Sequence, residues 1–349
     1  MQTLSRSHQL RIGLLGCGAI ASYFHMRALQ RIAGATLAAM ADPDSGARTR
    51  AQRLAQVPVY ASSVELLDRS DVDAVVICAP SGTHAELAIA AARSGKHIYI
   101  EKPLATSAPG AEEVIEAVAR AGVTAVVGFN RRMHPLFTRA RELLDSGRIG
   151  RIRGVQMACC EPAPRTGFPE WKRHRNTGGG ALLDLASHHI DLLRWYLRDE
   201  VAVVAASIAS ETSEHDSAGL DLMFEKGVRA QGYFSFGAGM ADHLEFLGEL
   251  GTLRVDRYRA SIEVRRRRRF RYGLRRQWVN PALKTVTWRL YRQMRPGRDP
   301  SYARALQVFV ETVNGRPNRL AALSDGLRAL EVVLAAERSA LAGAPARLR

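Results

Sequence analysis

The stretch LRIGLLGCGAIA, residues 10–21, runs an apolar segment straight into small residues. It reads as a buried strand that ends in glycines and turns into a helix, residues 19–34, stopped by Gly34. Gly16, Gly18 and Ala21 spell G-x-G-x-x-A at that turn. Gly16 permits the tight bend. Gly18 lets the backbone approach a pyrophosphate, which then rests on the helix N-terminus at Gly18, Ala19 and Ile20. Alone the motif is weak; its place between a strand and a helix is what lends it meaning.

The next segments repeat the alternation. Residues 35–43 form a strand ended by Pro43, and Asp42 stands 24 positions after Gly18. A carboxylate there accepts from a ribose 2′-hydroxyl and repels a 2′-phosphate, so NAD is expected, while Arg48 and Arg50 nearby keep NADP possible. The other role open to Asp42 is that of a turn or cap. Residues 44–56 are helical, and Ser62 with Glu65 makes a capping box. Strands at 73–80, 97–103 and 124–130 alternate with helices at 83–95 and 111–122. Short apolar strands between helices imply a doubly wound parallel sheet covered on both faces, an α/β Rossmann domain over residues 1–130.

The remainder, residues 131–349, has another texture. Strand patterns at 149–160, 201–210, 217–227, 228–239, 243–251 and 252–256 are separated by turn residues, which suggests a meandering sheet. Helices follow at 302–315 and at the C-terminal end. Within it, ALLDLASHHIDLLRW, residues 181–195, follows three glycines and is apolar at helical spacing, yet carries Asp184, His188, His189 and Asp191. Asp184 and His188 are four apart and share a face. His189 is rotated by about 100° and faces elsewhere. An Asp–His pair on a rigid helix can supply a general base, the carboxylate orienting the imidazole. His and Asp can also bind zinc, but no cysteine or further ligand stands at a matching spacing, so no metal is expected.

These motifs resemble a known family. The segments GCGAIA, APSGTHAELAIAAARSGKH, EKPLA and GGGALLDLASHHID are together similar to the glucose-fructose oxidoreductase / inositol dehydrogenase / MocA-like family, and the likeness runs from about Leu10 to the C-terminal LSDGLRALEVVLAAERSALAG. The resemblance implies an α+β second domain with a large, mostly antiparallel sheet. It also implies a nicotinamide cofactor and a sugar, polyol or related substrate such as a nucleotide sugar. The family's E-K-P motif falls on Glu101, Lys102 and Pro103, and its D-x-x-x-H pattern on Asp184 and His188. In that scheme Lys102, His188 and Asp184 are catalytic, and Glu101, Pro80 and His84 lie against the cofactor. His84 alternatively caps or packs. Asn130 and Arg131, ending the sixth strand, meet substrate or simply begin the second domain. Trp171, Lys172 and Arg175 line the substrate mouth or belong to a solvated loop. The family's open sheet implies a homo-oligomer.

Composition sets the outer limits. The chain has 349 residues, 46% of them hydrophobic, enough for two cores, and no run long enough to span a bilayer. The start, MQTLSRSHQL, lacks the apolar centre of a secretory signal, so a cytoplasmic protein is expected. Cys17, Cys78, Cys159 and Cys160 show no metal-ligand spacing and read as reduced thiols. The net charge of +16 is concentrated: residues 254–298 hold sixteen Lys or Arg and two acids. Arg265–Arg271 reads RRRRRFR, and Leu283, Val286, Thr287, Leu290 and Met294 form an apolar stripe beyond it. Such a segment, about residues 257–298, suits peripheral contact with an anionic membrane, a substrate diphosphate, or plain packing with solvated arginines. Nucleic acid is a weaker expectation, since within the arginine run at 265–276 the only interleaving aromatics are Phe270 and Tyr272. An NAD(P)-dependent dehydrogenase or reductase is the leading reading. A non-enzymatic NAD(P)-binding regulator on the same fold is the alternative.

Overall fold

The computed structural model describes residues 9–164, 167–266, 275–278 and 299–348. The arginines at 267–271 and the apolar stripe at 283–294 lie outside the described residues. The chain forms two compact units. The first comprises Met1–Met133 and Gly297–Leu327, the second His134–Pro296 and Arg328–Arg349.

The first unit is a six-stranded sheet of β1 (Leu10–Leu15), β2 (Ala35–Ala41), β3 (Val59–Tyr60), β4 (Ala74–Ile77), β5 (His97–Ile100) and β6 (Ala125–Val127). Their order is β3-β2-β1-β4-β5-β6, and every pairing is parallel. The reversal beside β1 is the switch point at which such sheets bind ligands. All four residues of β4 are buried, as expected of a strand covered on both faces. Local chemistry fixes the helix starts. Asp44 accepts from Ala47 N, Ser62 and Glu65 close their capping box, and Ser107 accepts from Gly110 N ahead of a helix that ends on left-handed Gly122.

The expected boundary at residue 130 is three residues early, and the second domain is not continuous. Residues 297–327 return to the first unit. The helix Pro300–Val313 places Ala305, Leu306 and Phe309 in the same core as Leu14, Met40 and Tyr99. Nothing in its pattern names the sheet it covers, because an amphipathic helix of this kind suits either unit.

Among its described residues the second unit is built on nine strands: β7 (Ile152–Cys160), β8 (Val201–Ala209), β9 (Ser217–Phe224), β10 (Arg229–Ser235), β11 (Ala241–Gly248), β12 (Gly251–Asp256), β13 (Ser261–Arg266), β14 (Arg275–Trp278) and β15 (Ala346–Arg347). Their order is β14-β13-β12-β11-β7-β10-β9-β8-β15. Only the β7–β10 pair is parallel. Buried and half-buried residues alternate along β11, the mark of a sheet with one covered face. The helix Ser187–Leu197 covers it, with Tyr196 edge-on to Phe246 at 5.1 Å. The Tyr196 hydroxyl donates to the Phe137 carbonyl at 2.9 Å, tying that helix to the one at Pro135–Asp145. No described helix is long and apolar enough to cross a membrane.

Candidate active site

In the first unit the candidate cofactor site lies at the carboxyl ends of β1, β2, β4 and β5. Gly16 has φ +92°, and a Cβ there would stand 2.7 Å from Ala79 N, so no other residue fits. Around Gly18 the opposite holds: nothing lies within 4 Å of a built Cβ. Gly18, Ala19 and Ile20 are exposed while Cys17 is buried, its thiol pushed up to about 12 by burial and then by the charge of Asp42. The loop therefore offers bare backbone to open space. Beside it runs a groove of about 450 Å³ lined by Gly18, Ala19, Ser22, Arg27 and Arg53 among others. The geometry fits a dinucleotide pyrophosphate.

Asp42 takes up the turn role expected of it. Its Oδ2 accepts from Cys17 N at 2.7 Å and its Oδ1 from Asp44 N at 2.8 Å, so the carboxylate braces the glycine loop. Each oxygen keeps a further lone pair for a ribose hydroxyl. Arg48 is spent on the carbonyls of Asp42 and Pro43, at 2.9 Å each, and is not held out for a phosphate.

Three of the expected cofactor contacts fare differently. Pro80 is exposed after β4, where its carbonyl accepts from Thr83 N and Oγ1. His84 is 2% exposed, its Nδ1 2.7 Å from the Pro103 carbonyl and its Nε2 2.9 Å from that of Ala79. It pins the loop after β4 to the loop after β5, and burial holds its pKa below the ordinary value. Glu101 also turns inward. Its Oε1 meets Nε2 of fully buried His25 at 2.7 Å, and its Oε2 accepts from Lys102 N at 3.3 Å. Both residues hold the Lys102 loop and neither is open to a cofactor. From Ile98 to Ala105 the one residue not buried is Lys102.

In the second unit the candidate catalytic residues lie on the glycine-led helix. It opens with a π turn, Leu182–Ala186, and becomes α-helical at Ser187–Leu197. From Gly178 to Arg194 every residue is buried except Asp184 and His188. Asp184 Oδ2 lies 2.5 Å from Lys172 Nζ, with the two side chains 23% and 21% exposed. The Lys172 ammonium also stands 5.0 Å from the ring centroids of both Phe168 and Phe236. Burial pulls its pKa down, but the charge and hydrogen bond of Asp184 outweigh that, and the net shift is upward. The carboxylate is thus held by a caged lysine, a partner the helical spacing did not indicate.

His189 faces away, as expected. It is fully buried, its Nε2 3.4 Å from Asp242 Oδ1 and its ring edge-on to Phe234 at 5.6 Å. The remaining substrate candidates are placed otherwise than expected. Asn130 is buried and donates to Ser301 Oγ at 3.1 Å, fastening the returning helix, and Arg131 is 6% exposed. Arg175 makes a two-pronged pair with Glu337, its Nη2 3.0 Å from Oε2. None of the three is presented as a substrate ligand. His25, the caging phenylalanines and Asp242 escaped the sequence reading; all but Phe168 lie far along the chain from the group they serve. All four cysteines are thiols. Among the described residues one grouping has metal-ligand character, Cys159, His189 and Asp242, where no matching ligands were expected.

Comparison with known proteins agrees with this layout. Residues 10–129 match the model of an oxidoreductase family with an NAD-binding Rossmann fold, and residues 137–254 match the GFO/IDH/MocA C-terminal domain. The chain is 30% identical over 341 residues to a myo-inositol 2-dehydrogenase from Thermotoga maritima, covering 95% of this chain and 96% of that one. It is also 30% identical over 263 residues to dTDP-3,4-didehydro-2,6-dideoxy-alpha-D-glucose 3-reductase from Actinomadura kijaniata, covering 74% and 77%. Among solved structures, the WlbA dehydrogenase from Bordetella pertussis in complex with NADH and UDP-GlcNAcA shares the fold, with a TM-score of 0.84 at 23% identity over 98% of each chain.

Proposed function

The chain belongs to the glucose-fructose oxidoreductase / inositol dehydrogenase / MocA-like family of NAD-binding oxidoreductases, and we propose that it exchanges a hydride between nicotinamide and a secondary alcohol of a sugar, polyol or nucleotide sugar. One observation carries the reading. In two otherwise buried stretches the residues left open to solvent are Lys102, Asp184 and His188. Burying polar groups is costly, and partly open ionisable groups set in buried stretches are candidates for chemistry.

A nicotinamide bound along the glycine loop supplies the redox chemistry. Residues of the chain supply the rest. The imidazole of His188 takes the proton of the substrate hydroxyl during oxidation and returns it during reduction. The Lys102 ammonium, in the family's E-K-P motif, is suited to stabilise negative charge that develops on a substrate oxygen. Asp184, ion-paired with Lys172, accepts from a neighbouring hydroxyl and so orients the ring. Asp42 accepts from the adenosine ribose, which favours NAD.

The relatives support this substrate class, since they are named for inositol and for a dTDP-linked sugar. A homo-oligomer and a peripheral membrane contact through residues 257–298 belong to the same proposal, and sedimentation alone and with anionic vesicles tests them. For the reaction itself, a panel of inositols, sugars and nucleotide sugars with NAD or NADP is followed by nicotinamide absorbance. Turnover with NAD and at least one polyhydroxylated substrate is expected. NAD binding without turnover of any member argues for a regulatory protein instead.

A further inference from the structure

We propose that Cys159, His189 and Asp242 form a structural binding site for a divalent transition metal, zinc by ligand preference, at the buried seam between the His188-bearing helix and the sheet. The inference does not depend on the substrate reading above.

The site is made by the fold. Cys159 of β7 and Asp242 of β11 are direct cross-strand partners, so their side chains leave the sheet on the same face. His189 descends onto them from the covering helix. All three residues are fully buried, and one ligand atom from each lies within 4.8 Å of the other two. His189 Nε2 and Asp242 Oδ1 are 3.4 Å apart. That is the edge of a tetrahedron whose metal–ligand bonds are about 2.0–2.1 Å, the zinc distances to nitrogen and carboxylate oxygen. Thiolate, imidazole and carboxylate together suit zinc over calcium or magnesium.

The surroundings support a cation. The second oxygen of Asp242 is held by Arg257 Nε at 2.5 Å, which turns Oδ1 toward His189. Arg257 in turn lies 3.0 Å from Glu161, whose carboxylate also accepts from the Tyr258 hydroxyl. Outer partners of this kind orient metal ligands. The charges also balance. Arg257 offsets one of the two carboxylates, and a divalent ion offsets the other together with a Cys159 thiolate. On binding, the Cys159 Sγ–H bond gives its proton to solvent and an Sγ–metal bond replaces it, with no change of oxidation state. The consequence is a pin between the helix and the sheet, one residue from His188.

The test uses the whole protein, prepared without a polyhistidine tag or chelator. Metal content is measured by mass spectrometry, and cobalt(II) is then exchanged into the reduced protein. The expected result is one transition-metal ion per chain and, with cobalt, a thiolate charge-transfer band with visible bands of tetrahedral intensity. Cys159→Ser should abolish the charge-transfer band, whereas Cys160→Ser, one residue along the same strand, should keep it. Arg257→Ala should weaken cobalt affinity by about 10–100-fold. A folded wild-type protein that carries no metal and takes up no cobalt overturns the proposal. So does a charge-transfer band that survives in Cys159→Ser. NAD binding measured on the same samples keeps the two readings apart, since loss of either leaves the other standing.

Discussion

Two helices of this chain begin alike. Glycines at 16 and 18 lead into a π turn at Ala21–His25 and then the α-helix Met26–Leu29; glycines at 178–180 lead into a π turn at Leu182–Ala186 and then Ser187–Leu197. The letters look equivalent, but the glycines do different work. A Cβ on Gly18 would meet nothing. A Cβ on Gly179 would stand 2.3 Å from the Lys172 carbonyl oxygen and 2.9 Å from that of His174. In the first glycine run, Gly18 leaves open space beside the backbone. The second lets the chain fold back on itself, so that the loop carrying Lys172 can seat its ammonium on Asp184. One helix start leaves its backbone open to space, the other closes the chain on itself, and the difference lies in what surrounds each missing side chain.

The largest effects should fall on catalysis. Lys102→Ala and His188→Ala are each expected to lower kcat by about 10²–10⁴-fold while leaving NAD affinity nearly unchanged. His189→Ala should instead lower the melting temperature, because it empties a fully buried contact with Asp242 and Phe234. Turnover and thermal melting on the same preparations check this. Equal kcat losses from the two histidine variants, both folded, would break the division between the open and buried faces of the helix.

The glycine comparison has its own test. Gly179→Ala must displace backbone and is expected to cost about 1–3 kcal/mol of stability, with activity falling as the Lys172–Asp184 pair is disturbed. Gly18→Ala should leave stability within about 0.5 kcal/mol and act on NAD affinity alone. Melting and NAD titration separate the two outcomes. A Gly18 variant that unfolds while binding NAD normally would reverse the assignment.

How much of this was legible follows from the range of the interactions. The parallel sheet could be read because alternation and caps are local: Ser62 with Glu65, and Gly122 after its helix, announce themselves within a few residues. The openness of Asp184 and His188 could be guessed from their oddity in an apolar run. Lys172 was visible only as a loop residue, because its cage needs Phe168 and Phe236, and Phe236 comes from the end of β10. Glu101 and His84 were assigned to the cofactor by motif, yet both turn inward to carbonyls and a histidine 76 positions away in the case of Glu101. Motif position did not reveal side-chain direction. The return of residues 297–327 to the first unit was hidden for a related reason: an apolar stripe shows that a helix will be covered and not by what.

Lys172→Met sharpens the role of the second loop. The pair it breaks is about four-fifths buried, so Asp184 loses its compensating charge in a partly desolvated place. With solvent access discounted, kcat/KM is expected to fall by about tenfold. Lys172→Arg should recover part of that, keeping the charge but fitting the phenylalanine cage less well. Steady-state kinetics of both variants decide the matter, and a Met variant with unchanged kcat/KM removes Lys172 from the site. On the first helix start, Asp42→Ala should weaken NAD binding and narrow the preference over NADP. Tighter binding of NADP than of NAD by the unmodified protein would refute the cofactor assignment.

The smallest effect is one of pH, and it differs in sign between the two regions. His84 braces the Lys102 loop, and burial holds its folded pKa below the ordinary histidine value of about 6.5. Above 6.5 the unfolded chain is neutral there too, and its contribution to stability is fully present. As pH falls through 6.5 toward the lower folded pKa, the unfolded state takes up a proton that the folded state resists, and stability is lost. His174, on the loop ahead of the second glycine run, behaves oppositely. Its Nδ1 is 3.0 Å from Glu214 and its Nε2 2.9 Å from Glu170, and these bonds raise its pKa. Its contribution is present below 6.5 and disappears as pH rises through the raised value. Melting curves between about pH 7.5 and 5.5 should therefore show His84→Gln flattening the acid-side loss of stability and His174→Gln steepening it. The His174 effect should be the weaker and should shrink in salt, because that pair is solvent-exposed. Equal slopes in both variants and the wild-type protein would show that neither ring feels the environment described.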